Sequence, residues 1–249
     1  MGAAYAPRDP AAAASTVRAA RSDPSRVLLE GIHPVKHALR FDGDVEVVVT
    51  PDRSAVAQLL SDLAPDVTDL ALERTVEVDG GVWRSLVPRE LPSPALGVAV
   101  RPQVAAADVM AAEGPVVALE HPRHLGNLGA VLRVAAAAAA GGVLTLGSAD
   151  PWHPTAVRSA AGLGFALPVA AAPQLPETER PVLALSAEGT PLTSEGLPDH
   201  AVLLVGTERG GLTPAARARA DATVAIPMRP GVSSLNLATA VAIALYAGR

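Results

Sequence analysis

The sequence predicts an α/β protein in which a parallel sheet, covered on both faces, fills the second half of the chain behind a smaller α/β unit. Two observations carry this. Beyond residue 114, short continuous apolar runs recur as VVALE from Val116, VLTLG from Val143, VLALS from Val182, VLLVG from Val202 and TVAIP from Thr223. Helical stretches begin near Asn127, Pro154, Pro214 and Leu235, and apolar strands that alternate with helices belong to parallel sheets buried on both sides. Three polar, glycine-rich loops, HPRHLGNLG, GTERGGLTP and PMRPGVSSLN, each follow one of these strands. In such sheets ligands bind beyond the carboxyl ends of the strands, so the loops are expected to converge on one edge.

The elements are justified in order along the chain. Residues 1–25 are rich in Ala, Pro, Arg and Asp, and read as a loosely held arm with a short helix around Ala11 to Arg21. Residues 26–100 read as a small α/β unit. RVLLEGIHPVKHALR opens with an apolar strand and continues with Ile32, Val35, Ala38 and Leu39 at helical spacing, followed by VEVVVT, a helical SAVAQLLSDLA and LGVAV. Residues 101–113, bounded by Pro102 and Gly114, carry no strand signal and read as a linker or linking helix. Residues 114–249 form the larger domain.

Composition narrows the function classes. A hydrophobic fraction of 49% in 249 residues supports a substantial core, yet only 2% of residues are aromatic, so Ala, Val and Leu must fill it. The absence of cysteine excludes disulfides, thiolate metal sites and cysteine nucleophiles, and is consistent with a reducing cytoplasm. The N-terminal residues lack the pattern of a secretory signal, and the apolar run after Asn236 is too short to span a bilayer. A net charge of −5 argues mildly against a nucleic-acid partner unless a local basic patch does the steering.

Each loop carries its own chemistry. In LGNLGAVLR, Gly126 and Gly129 flank Asn127 at the start of a helix, where Asn127 can act as cap and Arg133, about two turns in, can lean over the helix mouth toward a phosphate. A capped helix with a solvated arginine is the plain alternative. In VGTERGGLT, Glu208 sits among Gly206, Gly210 and Gly211, either as an acceptor for a ligand or as a clamp on its own loop amides, and Thr213 reads as the N-cap of the next helix. In the third loop Ser233, Ser234 and Asn236 are all good N-cap or first-turn residues ahead of the apolar helix, whose N-terminus offers unpaired amides to an oxygen-rich ligand. One capping role does not account for three polar residues.

Other signals are weaker. GLGFAL at Gly162 lacks the third glycine and the preceding strand of a dinucleotide fingerprint. His121 and His124 beside Glu120 have no distant third ligand and read as loop or cap histidines, so no metal is expected. The G-x-S-x-G elbow that a serine hydrolase needs is absent.

In this order the three loops resemble the motifs of the SpoU (TrmH) family of RNA ribose methyltransferases, within the SPOUT superfamily. Asn127, Gly129, Ala130 and Arg133 meet its N-x-G-A-x-x-R motif; Gly206, Glu208, Gly211 and Leu212 meet G-x-E-x-x-G-L; IPMRPGVSSLN meets the third motif with one extra residue before Gly231. The segment DPWHPTAVRSAAG is similar to the stretch between the first two motifs, and the first half to the ribosomal-protein-like α/β domain that many members use for RNA recognition.

The resemblance implies an α/β fold whose C-terminal parallel sheet carries a deep trefoil knot, a homodimer paired through the knotted domain, and S-adenosylmethionine bound in the knot. It implies methyl transfer to a ribose 2′-hydroxyl of structured RNA. On this reading Arg133, Asn127, Ser234, Asn236 and Glu208 are the catalytic set, with Arg133 binding phosphate and polarising the hydroxyl in preference to acting as a literal base. The cofactor site comprises Leu185, Ser186, Gly206, Thr207, Glu208, Gly211, Ile226, Pro227, Met228, Ser234 and Leu235, and Arg123, Arg133, Arg158 and Arg229 face RNA. Ribosomal RNA is the favoured target, including a site where methylation protects against an antibiotic. The lack of a basic tail after Tyr246 makes tRNA the less favoured one. The alternatives are a tRNA or base methyltransferase and a catalytically silent RNA-binding or ribosome-assembly module.

Overall fold

A computed structural model describes residues 9–87, 89–193, 196–207 and 210–248. In chain order the first elements are α1 (Pro10–Ala20), β1 (Arg26–Glu30), α2 (Ile32–Arg40), β2 (Val45–Thr50), α3 (Arg53–Leu63), α4 (Thr68–Glu73), β3 (Thr75–Glu77), α5 (Gly80–Leu86) and β4 (Leu96–Val100). They continue with α6 (Ala106–Ala111), β5 (Val116–Glu120), α7 (Leu125–Ala137), β6 (Gly142–Leu146), α8 (Pro154–Ser159) and β7 (Val169–Ala172). The last are β8 (Val182–Pro191), β9 (Val202–Val205), α9 (Pro214–Arg217), β10 (Ala222–Ala225) and α10 (Leu237–Tyr246). The chain divides into two compact units, one of residues 1–102 and 152–166 and the other of residues 103–151 and 167–249.

The first unit is built on a four-stranded sheet of order β1-β4-β2-β3, antiparallel except for the β2–β3 pair. One face receives α1, whose Ala13, Ala14, Val17 and Ala20 are buried in a cluster with Leu28, Val47, Val49, Leu96 and Val98. Residues 10–20 of the expected loose arm are therefore docked on the sheet, while residues 1–8 lie outside the described residues. Asp9 caps α1 by accepting from the Ala11 and Ala12 amides, Pro10 stands at its first turn, and small residues at helical spacing let it lie close on the sheet. Its end is fastened where the Arg21 guanidinium donates to the Leu86 carbonyl.

The segment 152–166 also belongs to this unit, although the sequence reading placed it in the larger domain. Trp152 and Phe165 meet edge to face at 4.9 Å, the imidazole Nδ1 of His37 lies 2.6 Å from the Ala161 carbonyl, and the Arg158 guanidinium pairs with Glu30. Gly162, at φ +79°, packs so closely that a Cβ there would come within 2.6 Å of the Pro34 backbone. Gly162 of GLGFAL therefore serves packing, and residues 163–166 form a short 3-10 turn.

The second unit holds a six-stranded sheet of order β10-β8-β9-β5-β6-β7, parallel at every pairing. All five apolar runs read from sequence are strands, and β7 adds a sixth. Alternation along the strands sends Val116, Ala118, Leu144, Leu146, Val202 and Leu204 into one apolar layer, which Val109 of α6 and the partly buried Ala216 near the end of α9 help to cover. Val117, Leu119, Val143 and Leu203 point to the other face, where α7 packs against β6 and against α10. Residues 101–113 are thus more than a linker: Val109 is fully buried, and Arg180 donates to the carbonyls of Met110, Ala112 and Gly114 to hold the turn after α6. Among the described residues no helix is long and apolar enough to cross a membrane.

Candidate functional site

The parallel sheet directs the ends of β5, β8, β9 and β10 to one edge, and loop chemistry there builds the site. Glu120, the last residue of β5, is buried, and its carboxylate accepts from both the Thr213 amide (2.8 Å) and the Thr213 hydroxyl (2.6 Å). Thr213 in turn caps α9 by accepting from the Ala216 amide, as its sequence position predicted. One carboxylate therefore ties the loop after β9 to the loop after β5. Sequence reasoning noticed Glu120 only as a neighbour of two histidines; the signal for its role is a carboxylate at a strand end facing a Ser or Thr cap.

Residues 206–207 and 210–212 pack tightly against one another. Thr207 and Gly211 exchange both backbone hydrogen bonds, at 3.1 and 3.0 Å, and the Thr207 hydroxyl accepts from the Gly210 amide. Gly211 adopts φ +62°, and a Cβ on Gly206 would lie 2.1 Å from the Gly211 carbonyl carbon, so backbone packs against backbone here with no room for a side chain. Glu208 lies outside the described residues.

The third loop ends at Asn236, the N-cap of α10, whose side-chain oxygen accepts from the Ala238 and Thr239 amides. Its amide nitrogen donates to the Asn127 side-chain oxygen at 3.1 Å, joining the first and third loops. Asn127 is therefore not the helix cap expected of it. The helix starts two residues earlier at Leu125, with His124 at the cap position and no capping bond from its side chain, so Asn127 sits inside the first turn and is released to reach across. Ser233 and Ser234 precede the cap and are exposed.

Between these loops lies a cavity of about 530 Å³, a size suited to a small organic ligand. Nine of the expected cofactor residues line it: Leu185, Ser186, Gly206, Thr207, Gly211, Ile226, Met228, Ser234 and Leu235. Pro227 does not: it is exposed while its neighbours Ile226 and Met228 turn inward. The sequence reading missed Glu188 and Arg217 on the same wall, and Ser233, which it placed at the helix mouth without assigning it to the cofactor, lines it too. The Ser186 hydroxyl donates to the Glu188 carboxylate, and that bond, with a smaller contribution from the Arg217 charge, holds Glu188 below the usual carboxylate range. Apolar walls from Leu185, Val205, Leu212, Ile226 and Leu237, with serine hydroxyls and one charge of each sign, suit a flat heterocycle carrying a polar sugar. The donor set therefore fits a nucleoside cofactor. Among the described residues no group of three or more His, Asp or Glu could hold a metal.

Arg123, Arg133 and Arg229 are exposed on the second unit. Arg158 departs from its expected role: its guanidinium is committed to Glu30, which also pairs with Arg89 at 2.6 Å, so its charge is spent inside the first unit.

Known proteins share this pattern. Residues 114–246 match the model of the SpoU rRNA methylase family. A 23S rRNA (uridine(2479)-2′-O)-methyltransferase of Streptomyces viridochromogenes is 37% identical over 144 residues, which is 52% of this chain and 50% of that protein. A 23S rRNA (adenosine(1067)-2′-O)-methyltransferase of Streptomyces azureus is 26% identical over 96% of this chain and 93% of its own length. The chain thus spans about half of the first relative and nearly all of the second. Among solved structures, an AdoMet-bound rRNA methyltransferase from Sinorhizobium meliloti superposes with a TM-score of 0.72 at 26% identity, covering 95% of this chain and 93% of that one. With the three motifs gathered at one sheet edge and more than half of its residues matched, the chain belongs to the SpoU rRNA methylase family.

Proposed function

We propose that the protein transfers the methyl group of S-adenosylmethionine to a ribose 2′-hydroxyl of structured RNA, with ribosomal RNA the favoured substrate. The observation that carries this reading is the Asn127–Asn236 bond. It joins the first-motif helix, which bears Arg133, to the third-motif loop that walls the nucleoside-sized cavity. Relatives named as 23S rRNA 2′-O-methyltransferases support the choice of acceptor.

When bound, the cofactor supplies an electrophilic methyl group. The chain's residues do the rest. Leu185, Ser186, Gly206, Thr207, Gly211, Ile226, Met228, Ser234 and Leu235 would hold it through apolar contact and loop backbone. A ribose hydroxyl is a weak nucleophile, so it must be aligned with the methyl group and relieved of its proton. Arg133 would grip the adjoining phosphate and polarise the hydroxyl, since a guanidinium stays protonated and is a poor base. Asn127, Ser234 and Asn236 would orient the RNA or the arginine, and Glu208 would shape the cofactor loop. Arg123 and Arg229 would add phosphate contacts.

We infer further that the second unit carries a deep trefoil knot. This is supported by the close approach of Gly196, ahead of β9, to the end of α10, where a Cβ would come within 2.0 Å of the Ala247 carbonyl oxygen. The first unit would bind RNA as a ribosomal-protein-like domain, and two copies would pair through the second unit. The exposure of Ile243 and Tyr246 on an otherwise apolar α10 supports such pairing.

Calorimetric titration with S-adenosylmethionine, followed by tritiated methyl transfer to total ribosomal RNA and to tRNA, tests the proposal. Binding with transfer to ribosomal RNA is expected. Transfer to tRNA alone would move the target, and a folded protein that binds no cofactor would be a silent RNA-binding module.

A further inference from the structure

Among the described residues that line the cavity, only two carry charge, Glu188 on β8 and Arg217 on α9. Glu188 is not a generic surface acid. The Ser186 hydroxyl, itself on the cavity wall, donates to its carboxylate and fixes which way that group faces, leaving further acceptor positions on its two oxygens. An ionised carboxylate accepts and cannot donate, so whatever it meets in the ligand must bring hydrogens.

A nucleoside cofactor with an amino-acid tail offers two strong donor groups, a neutral ribose diol and a cationic ammonium. The Arg217 guanidinium decides between them. Its charge already acts on Glu188 from the same cavity, so a second cation beside it would meet repulsion, whereas a neutral diol would not. The geometry suits the diol as well: a carboxylate can take both hydroxyls of a ribose in the manner of the acidic residue that reads ribose in dinucleotide-binding sheets. Apolar side chains from β9 and from the loop after β10 remain free for the base.

We propose that Glu188, oriented by Ser186 and sharing the cavity with Arg217, is the residue that reads the ribose diol of S-adenosylmethionine. The assignment rests on the cofactor reading given above. It adds a charged determinant to a site otherwise made of apolar side chains, hydroxyls and loop backbone, and makes Ser186 a positioning residue that acts through Glu188.

Calorimetry on the full chain tests it with S-adenosylhomocysteine, its 2′,3′-dideoxy analogue and methylthioadenosine, which keeps the diol but lacks the amino-acid tail. Glu188→Ala is expected to weaken S-adenosylhomocysteine and methylthioadenosine alike by roughly 10- to 100-fold, the size of hydrogen bonds to a charged acceptor. It should leave the already weak dideoxy analogue unchanged. Ser186→Ala should show the same selectivity with a smaller loss, about three- to tenfold. Glu188 is exposed, so the variant should melt with the wild type, and the unchanged dideoxy affinity is a second check that the cavity persists. Wild-type affinity in Glu188→Ala, an equal loss for the dideoxy analogue, or a loss for S-adenosylhomocysteine that spares methylthioadenosine would each overturn the proposal while leaving the cofactor reading intact. No binding of any of these ligands to the wild-type chain would instead overturn both.

Discussion

The two units differ in how many of their arginines are tied down. In the first, Arg26 pairs with Asp23 and Glu46, Arg40 with Asp66, and Arg89 and Arg158 share Glu30, a partly buried acceptor. In the second, Arg180 and Arg219 are likewise bound to carbonyls, but Arg123, Arg133, Arg217 and Arg229 are exposed, and Arg217 lines the cavity. Where charge is cross-linked it orders a scaffold; where it is exposed it can meet phosphate. A chain with net charge −5 can therefore still present local positive charge on its surface.

This contrast can be broken at several points. The largest effect is expected at Arg133. Arg133→Ala should lower methyl transfer by about 100-fold or more, the scale of losing a preorganised electrostatic group, while calorimetry shows cofactor affinity retained. Loss of both together would place Arg133 in the cofactor site.

Glu120→Ala should come next. It strands the Thr213 amide and unties the loop that lines the cavity, at a cost of about 1–3 kcal/mol in stability. Cofactor affinity should fall with it. Glu120→Gln, which can still accept from the amide and donate to the hydroxyl, should recover most of both in a denaturant titration and a binding isotherm.

Asn236→Ala removes a helix cap and the bond to Asn127 together. It should cost about 1 kcal/mol of stability and a larger factor in transfer than in cofactor binding, if the proposed role of the bond in holding the Arg133-bearing helix against the third loop outweighs its effect on the cavity wall. Equal losses in the two would contradict that separation.

Arg158→Ala sharpens the comparison from the other side. It should cost about 1 kcal/mol after allowance for screening of a partly exposed pair, with RNA affinity nearly unchanged. Arg229→Ala should instead leave stability alone and weaken RNA binding, flattening its salt dependence. If filter binding ranks the two variants the other way round, the division of labour between the units fails.

Much of this was legible beforehand. The apolar runs at Val116, Val143, Val182, Val202 and Thr223 became strands because an all-parallel sheet buries whole strands and needs no alternation to announce them. The strand at Val169 escaped notice because VAAA carries so little hydrophobic contrast with the Ala-rich sequence around it. Alanine also concealed the docking of α1, whose Ala13, Ala14, Val17 and Ala20 have helical spacing but the composition of a loose tail. At the site, residue types at helix mouths predicted the caps Thr213 and Asn236. The long-range bonds Glu120–Thr213 and Asn127–Asn236 bridge residues about a hundred positions apart, and no local pattern could have paired them. The commitment of Arg158 to Glu30 was hidden for the same reason.

The most direct test of the central claim is nucleoside mass spectrometry of ribosomal RNA after incubation with the purified protein and S-adenosylmethionine carrying a heavy methyl label. The label is expected on a ribose 2′-oxygen of one nucleotide. A label on a base atom, or none in RNA of any kind from a preparation that binds the cofactor, would contradict it.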